Sequence, residues 1–315
     1  MKILKQYPNF TVIFSCIFWG TYWIPLRYID SGNNSSVWPI TISFIVLSLI
    51  LIKNFIKSLN EIFYQKNYFF LLGCFFAALG ISLYSESLLR GEIANVVVLF
   101  YLAPVWGTIF SIIFLSYKLK YNRIISIILG IIGLEIMVGF EQGIFLPSSF
   151  VEILSLLAGL TWALGMTFFH LAKTSGTKEK TSLTSFFIAL IFLTFCIFPG
   201  GRSFEFTSNL MSFDLVYIWI LMFAIIWLLP SIFLTYFSVE VLDPGRINIL
   251  LAFEVVVGFV SAAMFTNEII GLRELLGACF VISSCFVDIF FCNFICNFCE
   301  CLRWSNTYRY RNPCP

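Results

Sequence analysis

The sequence predicts an all-α integral membrane protein, with ten transmembrane helices forming two inverted five-helix repeats and both termini cytoplasmic. Three observations carry that prediction. Ten apolar stretches follow one another at residues 10–28, 37–56, 67–88, 93–116, 124–141, 150–172, 183–200, 214–238, 246–266 and 271–292. Each is about the length of helix that crosses a hydrocarbon core of roughly 30 Å. Fifteen of the nineteen Lys and Arg residues fall on alternate connections, among them Lys53, Lys57, Lys118, Lys120, Arg123, Lys173, Lys178 and Lys180. Only Arg27, Arg90, Arg202 and Arg273 mark the opposite side. Positive charge in short loops marks the cytoplasmic face, so the alternation orients the chain and supports the count of ten together. Finally, 60% of residues are hydrophobic and 11% charged, with a mean hydropathy of +0.94. That leaves too little polar surface to cover a soluble domain.

The stretches come in a definite order of content. Residues 1–9 form a short basic lead without a small-residue cleavage site, so the first stretch is read as an uncleaved helix. It holds Trp19, Tyr22 and Pro25. The second opens near Trp38 and the third near Tyr68, aromatics expected at the membrane interface. Tyr84 and Glu86 lie in the third, and Tyr101, Pro104 and Trp106 in the fourth. Glu135 lies in the fifth, Trp162 and His170 in the sixth, Trp227 and Pro230 in the eighth, and Glu254 in the ninth.

Connections are short, so residues 1–292 read as one transmembrane domain. A slide of 143 positions sets Trp19 on Trp162, and a slide of 151 sets Leu99, Val105, Gly107 and Phe114 on Leu250, Val256, Gly258 and Phe265. Five stretches per half is an odd number, which forces a duplicated half (10–141 against 150–292) to lie upside down relative to its twin. Inverted repeats of this kind build secondary transporters, with the substrate near mid-membrane. Residues 293–315 are a Cys- and Arg-rich tail, predicted cytoplasmic and disordered or lying at the interface.

Several function classes lose support. No G-x-x-x-x-G-K-[ST] run is present to bind and hydrolyse nucleotide. One histidine removes the zinc-protease motif and any two-His metal site. Cys16, Cys74, Cys196, Cys279 and Cys285 sit in apolar stretches as small hydrophobes. The C-x3-C-x2-C-x-C run from Cys292 to Cys301 has no usual zinc spacing. No metal and no cofactor is therefore expected. No basic stripe interleaves with exposed aromatics, so nucleic acid is not a partner. The expected partners are the lipid bilayer, a small-molecule substrate and a coupling proton or counter-solute.

Polar groups at membrane depth carry the remaining information, because an ionised side chain at the centre costs at least ~2.5–3.5 kcal/mol. Glu254 lies near the midplane: it binds a cationic group or titrates during transport, or is a protonated glutamate bonded to a neighbouring helix. Glu135 is equally compatible with helix packing. Glu86 either reaches the headgroups or guards the outer mouth. His170 is either a satisfied interfacial group or a proton relay. Pro25, Pro104 and Pro230 free backbone carbonyls and are candidate hinges. Trp19, Tyr22, Tyr84, Tyr101, Trp106, Trp162 and Trp227 present aromatic faces able to hold an ammonium.

Three segments resemble a known family. Phe18-Trp19-Gly20-Thr21 and Thr161-Trp162-Ala163 are similar to the aromatic-small motif opening each half of EamA-type members of the drug/metabolite transporter superfamily. Leu102-Ala103-Pro104-Val105 resembles that family's Leu-x-Pro-Val, and the run from Asn267 to Ala278 its Gly-Glu-x-Leu segment ending in Gly-Ala. Glu254-Val255 stands where the second half should repeat Pro-Val, and Tyr117-Lys118 where the first should have Gly-Glu. The resemblance implies a secondary transporter in a bacterial inner membrane, exporting an amino acid or related metabolite by alternating access. Its cavity would be lined by the first, third, fourth, sixth, eighth and ninth helices. An intramembrane lipid-modifying enzyme and a non-transporting scaffold are the alternatives; the first would need paired catalytic residues on one face.

Overall fold

The computed structural model describes residues 7–32, 37–91, 93–138, 149–172, 175–195, 213–266 and 271–303, and these are helical with short connections. The helices are α1 (Pro8–Gly20), α2 (Trp23–Gly32), α3 (Trp38–Ile50), α4 (Ile52–Phe63), α5 (Tyr68–Arg90), α6 (Ile93–Phe100), α7 (Ala103–Leu115) and α8 (Tyr121–Val138). After these come α9 (Phe150–Leu171), α10 (Thr177–Thr194), α11 (Phe213–Met222), a π-helical stretch (Phe223–Leu228), α12 (Leu229–Val239), α13 (Pro244–Leu251), α14 (Phe253–Thr266) and α15 (Leu272–Arg303). By length and composition five runs suffice to cross a membrane: Pro8–Asp30, Tyr68–Arg90, Phe150–Leu171, Val216–Val239 and Pro244–Phe265. The pair Trp38–Ile50 and Ile52–Phe63, bent by 83°, makes a sixth if taken as one.

Local chemistry sets where helices begin. Pro8, Pro39, Pro104 and Pro244 each sit in a first turn, where the missing N–H has no partner to lose, whereas Pro230 follows directly on the π-helical stretch. Asn67 caps α5 by accepting from the Phe70 amide, and Asp243 caps α13 by accepting from Arg246. Ser149 and Glu152 close a capping box on α9.

Packing is tightest between α5 and α9, where glycines let the backbones touch. A Cβ on Gly80 would lie 2.8 Å from the Trp162 nitrogen, and one on Gly165 would lie 2.5 Å from that of Ala77. Elsewhere α8 runs along α15, α3 along α10, α12 and α14 flank α1, and α7 packs on both α9 and α13.

Ionic groups gather at one end of the bundle. Lys57 pairs with Glu179 at 2.8 Å, Arg123 with Asp243 at 2.8 Å and Arg246 with Asp288 at 3.3 Å. At the other end Arg27 donates to the carbonyls of Leu88 and Gly91, closing α5, and Arg90 pairs with Glu86. One sequence expectation is corrected. Lys180 does not lie on a connection; it sits in the first turn of α10 at 0% exposure, its Nζ 3.5 Å from the Phe169 carbonyl and 5.5 Å from that ring. Past residue 292 the α15 backbone stays helical to Arg303; residues 304–315 lie outside the described residues.

Candidate functional site

Three of the apolar stretches are broken near their middles, and the breaks converge. The first is interrupted at Thr21–Tyr22, the fourth at Tyr101–Leu102 and the ninth at Ala252. In the fourth, Pro104 follows the break as the second residue of α7, so it starts a new helix instead of bending a continuous one. The ninth breaks without a proline. Its last carbonyls are met by side chains from three other stretches: Cys285 Sγ lies 3.4 Å from Ile249 O, Cys16 Sγ 3.5 Å from Leu250 O, and the Tyr101 hydroxyl donates to Leu251 O at 2.8 Å. Irregular backbone at membrane depth requires such partners.

Beside these breaks lies a small cavity lined by Trp19, Ile81, Tyr84, Phe100, Trp162, Leu251 and Glu254. Glu254, in the first turn of α14, is buried and accepts from the Tyr84 hydroxyl at 3.2 Å. Tyr84 stacks on Phe100 with centroids 4.3 Å apart, which fixes the phenol. Trp19 and Trp162, which line the same cavity, meet edge to face at 5.9 Å. The Trp19 indole donates to Thr235 at 3.1 Å, whereas the buried Trp162 indole N–H has no hydrogen-bond partner. Among the described residues no Lys, Arg or His lines the cavity, Glu254 is the one carboxyl there, and aromatic and aliphatic side chains supply the rest. This arrangement suits an ammonium or other cationic group, with a spare donor for an acceptor on the same molecule.

The other candidates are distributed around the cavity. Tyr22 bonds Ser85 at 2.8 Å, and Trp227 donates to Thr21 at 3.1 Å across the break in the first stretch. Tyr101 lies on the far side of the ninth-stretch break, lining a second small cavity with Pro104, Ser126 and Ser284. Trp106 is half-buried outside both cavities, its indole nitrogen unpartnered. Pro25 is buried in α2, and Pro230 starts α12 just after the π-helical stretch. Glu86 is buried against Arg90, away from the cavity lining. His170 faces a carbonyl, Val239 O at 3.2 Å, through Nδ1 and the Tyr117 hydroxyl at 3.0 Å through Nε2. A carbonyl only accepts, so Nδ1 carries a proton; in the neutral ring Nε2 then accepts from Tyr117. Burial and the neighbouring Asp243 carboxylate push the Tyr117 phenol above its ordinary value. Among the described residues no group of three or more His, Cys, Asp or Glu side chains is placed to hold a metal.

Residues 6–139 match the EamA-like transporter family. That segment of the chain is similar to transporters of the drug/metabolite superfamily. Glu254, Trp162 and Trp227 lie beyond the matched EamA segment, whereas Trp19, Tyr84 and Phe100 lie within it. No curated protein matches the chain. A solved crystal structure is similar over 92% of this chain and 98% of its own, with a TM-score of 0.66 and 12% identity. That likeness shows the fold alone.

Proposed function

We propose that this protein is a secondary transporter that moves a small amino compound, cationic or bearing an ammonium group, through the cavity at Glu254 by alternating access. The observation that carries the reading is a buried carboxylate and a tryptophan pair lining one cavity without a basic residue. Such a carboxylate at membrane depth is costly unless it works on a charge. Ten crossings in two inverted halves, 10–141 and 150–292, with cytoplasmic termini, belong to the same proposal. Its support is the Lys and Arg asymmetry and the packing pattern. Exchanging the first five stretches with the second five maps the contact of the third on the sixth to that of the eighth on the first. The same exchange leaves the fifth–tenth, second–seventh and fourth–ninth contacts in place.

Export from a bacterial cytoplasm, driven by a proton or counter-solute gradient, is the direction the family resemblance favours. The test is uptake into proteoliposomes of radiolabelled primary amines and amino acids, with and without a pH gradient. The expected result is saturable flux of an amino compound that Glu254→Gln lowers by roughly tenfold to a hundredfold, the loss of one charge-assisted bond, while elution and circular dichroism stay unchanged. Undiminished flux in that variant refutes the assignment of Glu254.

A further inference from the structure

Among the described residues Lys180 is the charged side chain with the least exposure, at 0%, and it does not line the cavity at Glu254. Its place is held loosely. Nζ approaches the Phe169 carbonyl at 3.5 Å, long for a hydrogen bond, and stands over the Phe169 ring at 5.5 Å from the centroid. Among the described residues no carboxylate lies within ion-pair distance of it. An ammonium has three protons to donate, so one long bond and one ring face leave it under-satisfied.

The Phe169 ring connects this point to the cavity. Phe169 meets Tyr236 edge to face at 4.7 Å, Tyr236 faces Trp162 at 6.3 Å, and Trp162 lines the cavity with Glu254. Trp162 and Phe169 stand about two turns apart on α9, roughly 10 Å toward the ionic end of the bundle. Gly73 on α5 leaves room for the Phe169 ring, since a Cβ there would come within 2.6 Å of it. Tyr236 on α12 and Thr184, one turn after Lys180 on α10, each keep a buried hydroxyl without a hydrogen-bond partner. We propose that the ammonium of the cargo passes from the cavity to the Phe169 ring and carbonyl, and that Lys180 is a tethered occupant of this second ammonium site, which the cargo displaces. The proposal deepens the reading above and rests on the cargo carrying an ammonium group. The displaced side chain has a carboxylate to turn to: Thr177, one turn before Lys180 on the same face of α10, donates to Glu240 at 2.6 Å. One cation replaces another at the ring, so no second charge is buried there.

The first experiment uses the wild-type chain in lipid nanodiscs, with tetramethylammonium as the probe. Lysines are reductively methylated with formaldehyde and a borane, which leave the probe untouched. Peptide mass spectrometry compares Lys180 with exposed Lys178 in tetramethylammonium chloride and in sodium chloride of equal concentration. The probe should raise the Lys180 rate relative to Lys178 at least about threefold, as the population with Lys180 swung out grows. An unchanged ratio overturns the displacement. Equilibrium dialysis of radiolabelled probe then separates this site from Glu254. Lys180→Met should raise bound probe from about one to about two ions per chain, and should restore about one ion to Glu254→Gln. In that double variant Phe169→Leu should weaken binding at least about tenfold, because the ring face is gone. No gain of bound probe on Lys180→Met in either background overturns the second site. Loss of flux in Glu254→Gln without any response at Lys180 strikes the second site alone and leaves the assignment of Glu254 standing.

Discussion

The first and sixth stretches bring one tryptophan each to the centre, and the two are built differently. Trp19 stands in the last turns of α1, just before the interruption at Thr21–Tyr22, and its indole is tied to Thr235 on α12. Trp162 stands in the middle of α9, which runs unbroken for 22 residues and is pressed backbone to backbone on α5 by Gly80 and Gly165. Its indole N–H is left without a partner. So in the sixth stretch the helix is fixed by close backbone contact and the side chain keeps a spare donor. In the first, the helix is interrupted and the side chain itself does the fixing. A rigid helix that presents an unspent hydrogen bond is suited to reading a ligand, and an anchored ring on a broken helix is suited to holding the fold around it.

That contrast can be broken at its strongest point with Trp19→Ala, which removes a packed ring and its hydrogen bond. Stability should fall by ~3–5 kcal/mol in thermal unfolding in detergent. A loss under about 1 kcal/mol would deny Trp19 its structural role. Next in size is Gly165→Ala, which places a methyl group against the Ala77 backbone. The expected cost is about 1–3 kcal/mol, because backbone cannot yield as a side chain can. A neutral result would mean that α5 and α9 slide freely and that α9 is no rigid platform. The smallest stability effect belongs to Trp162→Phe, which keeps an aromatic face and removes a donor that bonds to nothing in the protein. Stability should change by about 1 kcal/mol or less, while affinity for a transported amino compound drops roughly tenfold in equilibrium binding. Unchanged affinity there, with a large stability loss, would make the two tryptophans equivalent.

Much of this site could be read along the chain, for physical reasons that differ by residue. Trp19, Tyr84, Trp162 and Glu254 stood out because polar or amphipathic groups are expensive at membrane depth, so their presence there requires a partner or a purpose. Ile81, Phe100 and Leu251 line the same cavity unannounced, since an apolar residue facing a cavity looks like one facing lipid. The break in the fourth stretch had a visible cue in Pro104. The break in the ninth had none, because side chains from other stretches satisfy its carbonyls. Lys180 misled for the opposite reason: its charge counts it among the connections, and only packing shows it at 0% exposure against Phe169.

Sequence alone therefore determined whatever depends on counting and on local cost. Apolar runs have the length a bilayer demands, and first-turn prolines and capping residues start the helices. The tertiary structure decided which indole is tied and which is not, and which carbonyl the Tyr101 hydroxyl meets. Those are contacts between residues as much as 241 positions apart, such as Gly20 and Ser261, and no local preference encodes them. They arise only when helices from both ends of the chain close on one another and each buried polar atom must find a partner or go without.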